Sequence, residues 1–585
     1  MLVRNWQKIN YFALRHYLTL MGIIILGTIL RFGNLDLKPL GIDEVITAVF
    51  SLGKSFEDIP TEVVFPLSLL QDLFTFDPEI SCQQIARTVT EQSTHPPIFF
   101  CLMHEWLTWV DPIPASWVWK LRALPALLGV GTIFGVYCLN RIAFSPAAGL
   151  MGAAVMAVSP FGIYLSQEAR HYTLPLLLIT IATIGLVQIQ KDLDRGRQRP
   201  LVWLVWIAVN TLSFYVHYFC LVAFIAQVTI LAVLIYRSRR KHFLPYLGLS
   251  LLPLVFFLTW TPILLEHVTS PKTTWLPPPQ NIVPFVQILA AWLLMTISLP
   301  LENQPLTIQI IMGLLTIAFA GWLGHQIWLK LRLLLRMKET SRVTLSLCYF
   351  IILVLLQFFA LVYLLGKDIT VAPRYNFIYY PAFCAILGAS LVRGRQQSQK
   401  EIKPLDAIAK SNSSTGKKEK VKGKIIPFSF PPDPFPDFLK KYIVIFVGTI
   451  SCILVIFDYA FQKPYFPQLA ASRFNQSPAQ LMVMTGYANS NQIALGLSYA
   501  LALDEIRQSD RETLWAFFDN YDGYSEAWQK ISRLDLSPSN LWVIGPGLKR
   551  ASYPQHLYFN NNNSCKLDPE EYYRVGIPYQ LYSCE

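Results

Sequence analysis

The chain has 585 residues, 53% of them hydrophobic, 14% aromatic and only 15% charged. A soluble domain carries about 25% charged residues, which excludes a soluble enzyme, a disordered chain and a nucleic-acid binder. The net charge of +12 lies mostly in short segments between apolar runs and not in one ligand-binding patch. Nine cysteines are too sparse for a disulfide framework, and no CxxC pair or His/Cys cluster suggests a metal. The first apolar run, Leu18 to Leu30, ends in Arg31 and Phe32 and not in a small-residue cleavage site, so it reads as a retained span.

A crossing helix needs about 20 mostly apolar residues. Eleven stretches qualify: 14–33, 121–140, 146–163, 172–190, 201–218, 219–236, 243–265, 306–329, 343–366, 376–392 and 441–461. Two more, 97–110 and 284–300, are shorter or flanked by prolines; they cross, re-enter or lie at the interface. Charge sets the sides. Arg4, Lys8 and Arg15 precede the first span. With both doubtful stretches on the outer face, the inner segments hold 29 Lys and Arg against eight Asp and Glu. If both crossed, Lys191 to Arg199 and Arg237 to Lys241 would face outward, against the rule. The reading is an all-α polytopic membrane protein of about 11 to 13 transmembrane helices, N-terminus cytoplasmic and C-terminus outside.

The first outer loop, 34–120, holds 12 acids against four basic residues. Its apolar groups, Val63 to Leu70 and Pro97 to Val110, suggest helices lying on the membrane. The second outer loop, Glu266 to Pro305, is Pro-rich. Residues 1–392 thus form a membrane module, 393–440 a flexible inner linker rich in Lys, Ser, Pro and Gly, 441–461 the last span, and 462–585 a soluble outer domain. In that domain Leu541 to Ile544 reads as a buried strand and Ile493 to Ile506 as an amphipathic helix, which fits a small α/β fold. Its only cysteines, Cys565 and Cys584, are expected to bridge, since the outer face permits disulfides.

Polar residues at span ends are costly to hold and so are functional candidates. Four clusters stand out, all on the side assigned independently from Lys and Arg counts. Asp43 and Glu44 follow the first span; as a pair they suit a general base and its helper, or else a solvated loop acid or a helix cap. His95 precedes Pro96-Pro97 at a helix start, placed to contact phosphate or simply to sit at the interface. The run Ser166-Gln167-Glu168-Ala169-Arg170-His171-Tyr172 lies between two spans, and His217 with Tyr218 at a neighbouring end. Arg170 either pairs with Glu168 or grips an anionic group. Arg374 and Tyr375 start span ten, where an arginine snorkels or is aimed by Pro373. No Walker A loop, zincin motif or GxSxG elbow is present.

These residues, in this order, resemble polyprenyl-phosphate-dependent glycosyltransferases of the GT-C fold. The superfamily is that of protein O-mannosyltransferases and aminoarabinose transferases, and the likeness is to its bacterial branch, glycosyltransferase family 39. It covers about residues 10–392: the Asp-Glu pair, the His-Pro-Pro stretch, Ser-Pro-Phe with Ser-Gln-Glu-Ala-Arg-His-Tyr, Tyr-Val-His-Tyr-Phe and the late Arg-Tyr. The resemblance implies that Asp43 is the base that deprotonates the acceptor, with Glu44 its partner. It implies His95 near the donor phosphate and Arg170 and Arg374 as phosphate-binding or site-shaping groups. Glu168, His171, Tyr172, His217 and Tyr375, from the same clusters, complete the candidate substrate-binding set. One base and one displacement imply inversion through an oxocarbenium-like transition state, with cations in place of a general acid. The implied donor is a sugar on polyprenyl (undecaprenyl) phosphate, with no cofactor and no metal, in a bacterial inner membrane among its lipids. The implied acceptor is a lipid, a glycan or a protein.

Two departures stand out. The aminoarabinose branch has Lys before its Pro-Pro where this chain has His95, and 266–305 is too short for the insert that eukaryotic protein mannosyltransferases carry in this loop. Neither family's acceptor therefore transfers. The rival class is a transporter or flippase of lipid-linked sugars, which calls for an internal repeat and mid-span charges. The sequence shows no repeat and nearly charge-free span interiors. A purely structural subunit needs no paired acids and cations on one face.

Overall fold

The computed structural model describes residues 2–273, 275–392, 435–476, 480–507, 513–534, 539–560 and 563–584. Most of the linker expected at 393–440 lies outside the described residues. After α1 (Leu2–Phe32), the first long loop carries α2 (Ile42–Ser51), β1 (Val64–Pro66), α3 (Leu69–Leu73), α4 (Cys82–Gln92) and α5 (Ile98–Val110). The bundle continues with α6 (Trp117–Ala143), α7 (Pro146–Ala157), α8 (Pro160–Ser166), α9 (Thr173–Asp194), α10 (Pro200–Phe214) and α11 (Cys220–Ser238). It closes with α12 (Phe243–Phe257), α13 (Thr261–Thr269), α14 (Val283–Leu294), α15 (Leu306–Arg336), α16 (Lys338–Leu365), α17 (Tyr380–Val392) and α18 (Asp437–Ile456).

Among the described residues, eight helical stretches are long and apolar enough to cross a membrane, or nine if the bent pair α7–α8 is one span. The expected spans at 201–218 and 376–392 are shorter, at 15 and 13 helical residues. Both lose helix where polar groups gather: α10 stops before Tyr215-Val216-His217, and α17 is preceded by a 3₁₀ turn over Pro373–Ile378. The doubtful stretches are α5 and α14, of 13 and 12 residues, too short at about 1.5 Å per residue for a core about 30 Å thick.

The span expected at 146–163 is broken by 60° between α7 and α8. Pro160 opens α8 and has no N–H to offer α7, so the helix restarts. The freed carbonyls of Met156 and Ala157 accept from Arg31 at 3.0 and 3.2 Å. Arg31 is buried on α1 and places its charge at the negative end of α7. The residue that marks the end of the first apolar run is thus a brace for the broken span. One continuous apolar core runs through the bundle from Leu20 to Ala460.

The C-terminal domain contains α19 (Pro467–Phe474), β2 (Leu481–Tyr487), α20 (Ser490–Asp504), β3 (Thr513–Asp519), α21 (Tyr524–Ile531), β4 (Asn540–Ile544), β5 (His556–Tyr558), β6 (Ser564–Val575) and β7 (Ile577–Cys584). The sheet order is β1-β3-β2-β4-β7-β6-β5. β2 runs parallel to β3 and β4, and the remaining pairs are antiparallel. The fold is therefore the expected all-α polytopic body with a small C-terminal α/β domain. The expected strand and helix are present as β4 and α20, and Cys565 is bonded to Cys584 across β6 and β7.

Two features correct the sequence reading: Val63 to Leu70, expected as a helix lying on the membrane, supplies strand β1, and the helix expected to be amphipathic is not. β1 comes from the first long loop and pairs with β3, so that loop contributes a strand to the C-terminal sheet. α20 is buried nearly all round and is not amphipathic, because it lies between the sheet and α2. The two regions share one core, in which Val45, Phe50 and Phe65 pack with Leu495 and Trp515. A second disulfide, Cys82–Cys101, ties α4 to α5.

The candidate active site

A cavity of about 1080 Å³ opens where the loops at one end of the bundle meet the C-terminal domain. Asp43, His95, Arg170, His217 and Arg374 all line it, so residues from all four polar clusters meet in one place. Lys463 and Asn489 line it from the C-terminal side.

Asp43 and Glu44 sit in the first turn of α2. Gly41 is extended at the N-cap, and its N–H donates to Glu44 Oε2 at 3.0 Å, closing the helix start. Two acids at a helix N-terminus also match the helix dipole. From there the two carboxylates diverge. Glu44 is buried and accepts five hydrogen bonds: from Gly41 N, from Arg122 Nε and Nη2 at 2.7 and 2.9 Å, from Ala169 N at 2.8 Å and from Lys463 Nζ at 2.5 Å. Burial alone would raise its pKa, but Arg122 and Lys463 hold the carboxyl far below its usual value.

Asp43 faces the cavity, with 32% of its side chain exposed. Its Oδ2 lies 2.9 Å from Arg374 Nη2 and its Oδ1 4.0 Å from Arg170 Nη2. Arg170 is fixed by donating from Nη1 to the Asp43 carbonyl at 2.9 Å and to Thr47 Oγ1 at 3.0 Å. Burial pushes Asp43 up, but Arg170 and then Arg374 outweigh it, so the carboxylate is ionised at neutral pH. Tyr172 lies beneath both guanidinium groups, 5.7 Å from Arg170 and 5.8 Å from Arg374. Tyr375 flanks Arg374 at 5.9 Å.

Arg170 turns to Asp43 rather than to Glu168, which lines the cavity without an ion pair among the described residues. Burial pushes the Glu168 carboxyl up, and the Glu44 charge adds to the effect. Three histidine rings pack together: His95 and His171 at 4.8 Å, His171 and His217 at 4.8 Å, His95 and His217 at 6.2 Å. Burial lowers His95 to about 3 and holds His171 and His217 well below the usual value, so all three are neutral. His95 Nδ1 meets Ser93 Oγ at 2.9 Å, and His217 Nδ1 accepts from Phe219 N at 3.0 Å. His171 is buried behind the other two, and both its ring nitrogens lack a partner among the described residues.

Sequence reasoning missed Arg122 and Lys463. Arg122 lies at the start of an apolar helix, where any charge is a candidate. Lys463 is the first basic residue after the last span, on the side where the positive-inside rule disfavours it. No three-residue group of metal-ligating side chains occurs among the described residues.

The family described as dolichyl-phosphate-mannose-protein mannosyltransferase matches residues 95–262, a stretch that holds His95, the Glu168 to Tyr172 run and His217. The match covers the middle of the stretch that carries the resemblance and leaves out the Asp43-Glu44 pair and Arg374-Tyr375. No curated protein matches the chain. Among solved structures, the chain is similar to ArnT from Cupriavidus metallidurans in the apo state, at 11% identity over 92% of this chain and 93% of that one, with a TM-score of 0.49. The same protein bound to undecaprenyl phosphate gives 11% identity, the same coverage and a TM-score of 0.47. The archaeal oligosaccharyltransferase AglB from Archaeoglobus fulgidus, in complex with an inhibitory peptide and a dolichol-phosphate, gives 12% identity over 91% of this chain and 69% of that one, with a TM-score of 0.42.

Proposed function

We propose that this chain is an integral-membrane inverting glycosyltransferase that moves a sugar from a polyprenyl phosphate to an acceptor at the outer face of a bacterial inner membrane. The observation that carries this reading is Asp43, a carboxylate exposed to a large cavity and held by two arginines that line the same space. The family match over 95–262 and the resemblance of the motifs support it. The outer location rests on the Lys and Arg distribution, and the two disulfides join cysteines assigned to that side, whereas the free cysteines lie on the apolar helices.

The residues divide the reaction between them. The donor phosphate binds against Arg374 and Arg170, whose planar donors suit phosphate oxygens. Phosphate competes with Asp43 for Arg374, and Asp43 then becomes more basic as its cation is shared. The acceptor hydroxyl loses its proton to Asp43 while its oxygen bonds to the anomeric carbon from the opposite face. The bond from that carbon to the phosphate oxygen breaks, and polyprenyl phosphate leaves with its charge neutralised by the guanidinium groups. Glu44 takes no proton in this scheme. Its oxygens are saturated, and its part is to fix α2. Neutral His95 and His217, backed by the buried His171, form with Tyr172 an uncharged wall beside the phosphate site.

The test is transfer of label from synthetic polyprenyl-phosphate sugars to a membrane extract by the purified protein. Labelled product with inverted anomeric configuration is the predicted outcome. Retained configuration, or no transfer from any lipid-linked donor, contradicts the reading.

A further inference from the structure

Residues 39–44 are the short run that delivers Asp43 to the cavity, and much of their polar bonding comes from far along the chain. Lys463 donates from Nζ to the Pro39 carbonyl at 2.5 Å and to Glu44 Oε2 at 2.5 Å. Ser498 Oγ on α20 donates to the Leu40 carbonyl at 2.5 Å. The Ile42 N–H donates to Tyr465 Oη at 2.6 Å. These partners are 419 to 458 residues away in sequence, and all three belong to the C-terminal domain or the segment that enters it.

The fit is close as well as polar. A Cβ on Gly41 would meet Lys463 Nζ at 3.0 Å and Cε at 3.2 Å, so the backbone lies against the lysine. Only 15% of the lysine side chain is exposed. A cation so far desolvated loses much hydration and holds its place through its two oxygen partners. From Glu44 the connection continues through the Ala169 N–H to the loop that carries Arg170, which in turn bonds the Asp43 carbonyl.

We infer that Lys463 is a positioning residue. Through Glu44 and the Pro39 carbonyl it sets the place of Asp43 and Arg170, and so makes the C-terminal domain a built-in part of the catalytic centre. The effect on turnover rests on the reading of Asp43 as base; the effect on geometry does not. The fold supports a fixed arrangement, since β1 and the shared core already join the two regions. A base displaced by about 1 Å costs on the order of 100-fold in rate.

The experiment uses full-length protein with Lys463→Ala, Lys463→Arg and Tyr465→Phe, followed by hydrogen exchange and transfer kinetics. Lys463→Ala should speed exchange in the peptides covering 39–47 and 167–171 and leave those across β6 and β7 unchanged. Its kcat should fall about 10- to 100-fold, with a rise in donor KM as Arg170 shifts from its place at the phosphate. The acidic limb of its pH profile should move upward as Arg170 loosens from Asp43, and Lys463→Arg should recover part of each effect. Tyr465→Phe removes a single bond to α2 and should show the same exchange pattern more weakly, which keeps the test open if Lys463→Ala fails to fold. Unchanged exchange over 39–47 in both Lys463→Ala and Tyr465→Phe would overturn the inference. So would a uniform rise in exchange across the whole domain with kcat untouched. If wild-type protein transfers no sugar, the enzyme reading fails by itself, and the exchange result still decides the positioning.

Discussion

At the residue scale, Arg374 carries two tasks that a single substitution can separate. In the free protein it pairs with Asp43 at 2.9 Å, and in the proposed reaction it grips the donor phosphate. Arg374→Ala should raise the donor KM, and Arg374→Lys should restore it only in part, because an ammonium lacks the planar fork. The pH profile offers a second readout. Arg170 and Arg374 hold Asp43 below the usual carboxylate range, so the acidic limb of kcat/KM for wild type should lie below about 4. Without Arg374 that limb should move upward. An unmoved limb and an unchanged donor KM would return Arg374 to the role of an arginine that merely reaches for solvent. The sequence could single out this residue from Pro373 and the aromatic run after it. The pairing with Asp43 joins positions 331 apart in the chain, and no local pattern encodes it.

At the element scale, α2 shows how two adjacent acids come to differ. Sequence treats Asp43 and Glu44 as a pair with shared work; in the structure the helix start falls to Glu44, and the proposed chemistry falls to Asp43. One hundred degrees of helix rotation sends Asp43 to the cavity and Glu44 into the body of the protein. There Glu44 is flanked by Arg122 and Lys463, which are distant in sequence and close only after folding. Glu44→Gln keeps the shape but leaves the buried Arg122 and the partly buried Lys463 without their anion, and loss of one member of such a group costs about 3–5 kcal/mol. We therefore expect a large fall in Tm for Glu44→Gln, in contrast to a small one for Asp43→Asn, measured by thermal unfolding in the same detergent. The pH dependence has a definite sign. The Glu44 carboxyl is depressed on folding, so its contribution is present above about 4.5 and is lost as pH falls below that value. The variant should lack this acid-sensitive component. Short helices were the least legible elements. α5, α10, α14 and α17 are apolar enough to resemble spans but run for only 12 to 15 residues, and hydropathy does not register where a helix ends.

At the scale of the whole molecule, the apolar bundle and the α/β character of the C-terminal domain were readable because each depends on composition summed over many residues. The union of the first long loop with that domain was not. β1 is only three residues long, and its partner strand lies some 450 positions away. The three-histidine cluster is likewise assembled from separate segments. It gives the molecule an acid sensitivity of its own. Folding keeps His95, His171 and His217 neutral, with His95 lowered to about 3 and the other two well below the usual value. The unfolded chain takes up protons on these residues as pH falls through about 6.5, while the folded chain does not. Stability should therefore decline from about pH 6.5 downward, before the loss of the Glu44 contribution begins. Tm measured from pH 7.5 to 5 should fall for wild type and fall less steeply for His171→Phe. Parallel curves would show that His171 titrates normally.

The reach of all these contacts is a single oxygen pair. The bundle, the first long loop, Arg170, Arg374 and Lys463 converge on the place of the Asp43 carboxylate, and the account stands or falls on whether that group takes the acceptor's proton. The direct measurement is kcat for sugar transfer by purified wild type and Asp43→Asn at saturating lipid-linked donor, with donor affinity and Tm measured on the same samples. A positioned general base contributes about 10²–10⁴-fold, so kcat should fall by that factor while Tm stays near wild type and donor affinity does not weaken, since Arg374 is freed for the phosphate. An Asp43→Asn protein that retains most of its kcat, or that loses it only with its fold, would contradict the assignment.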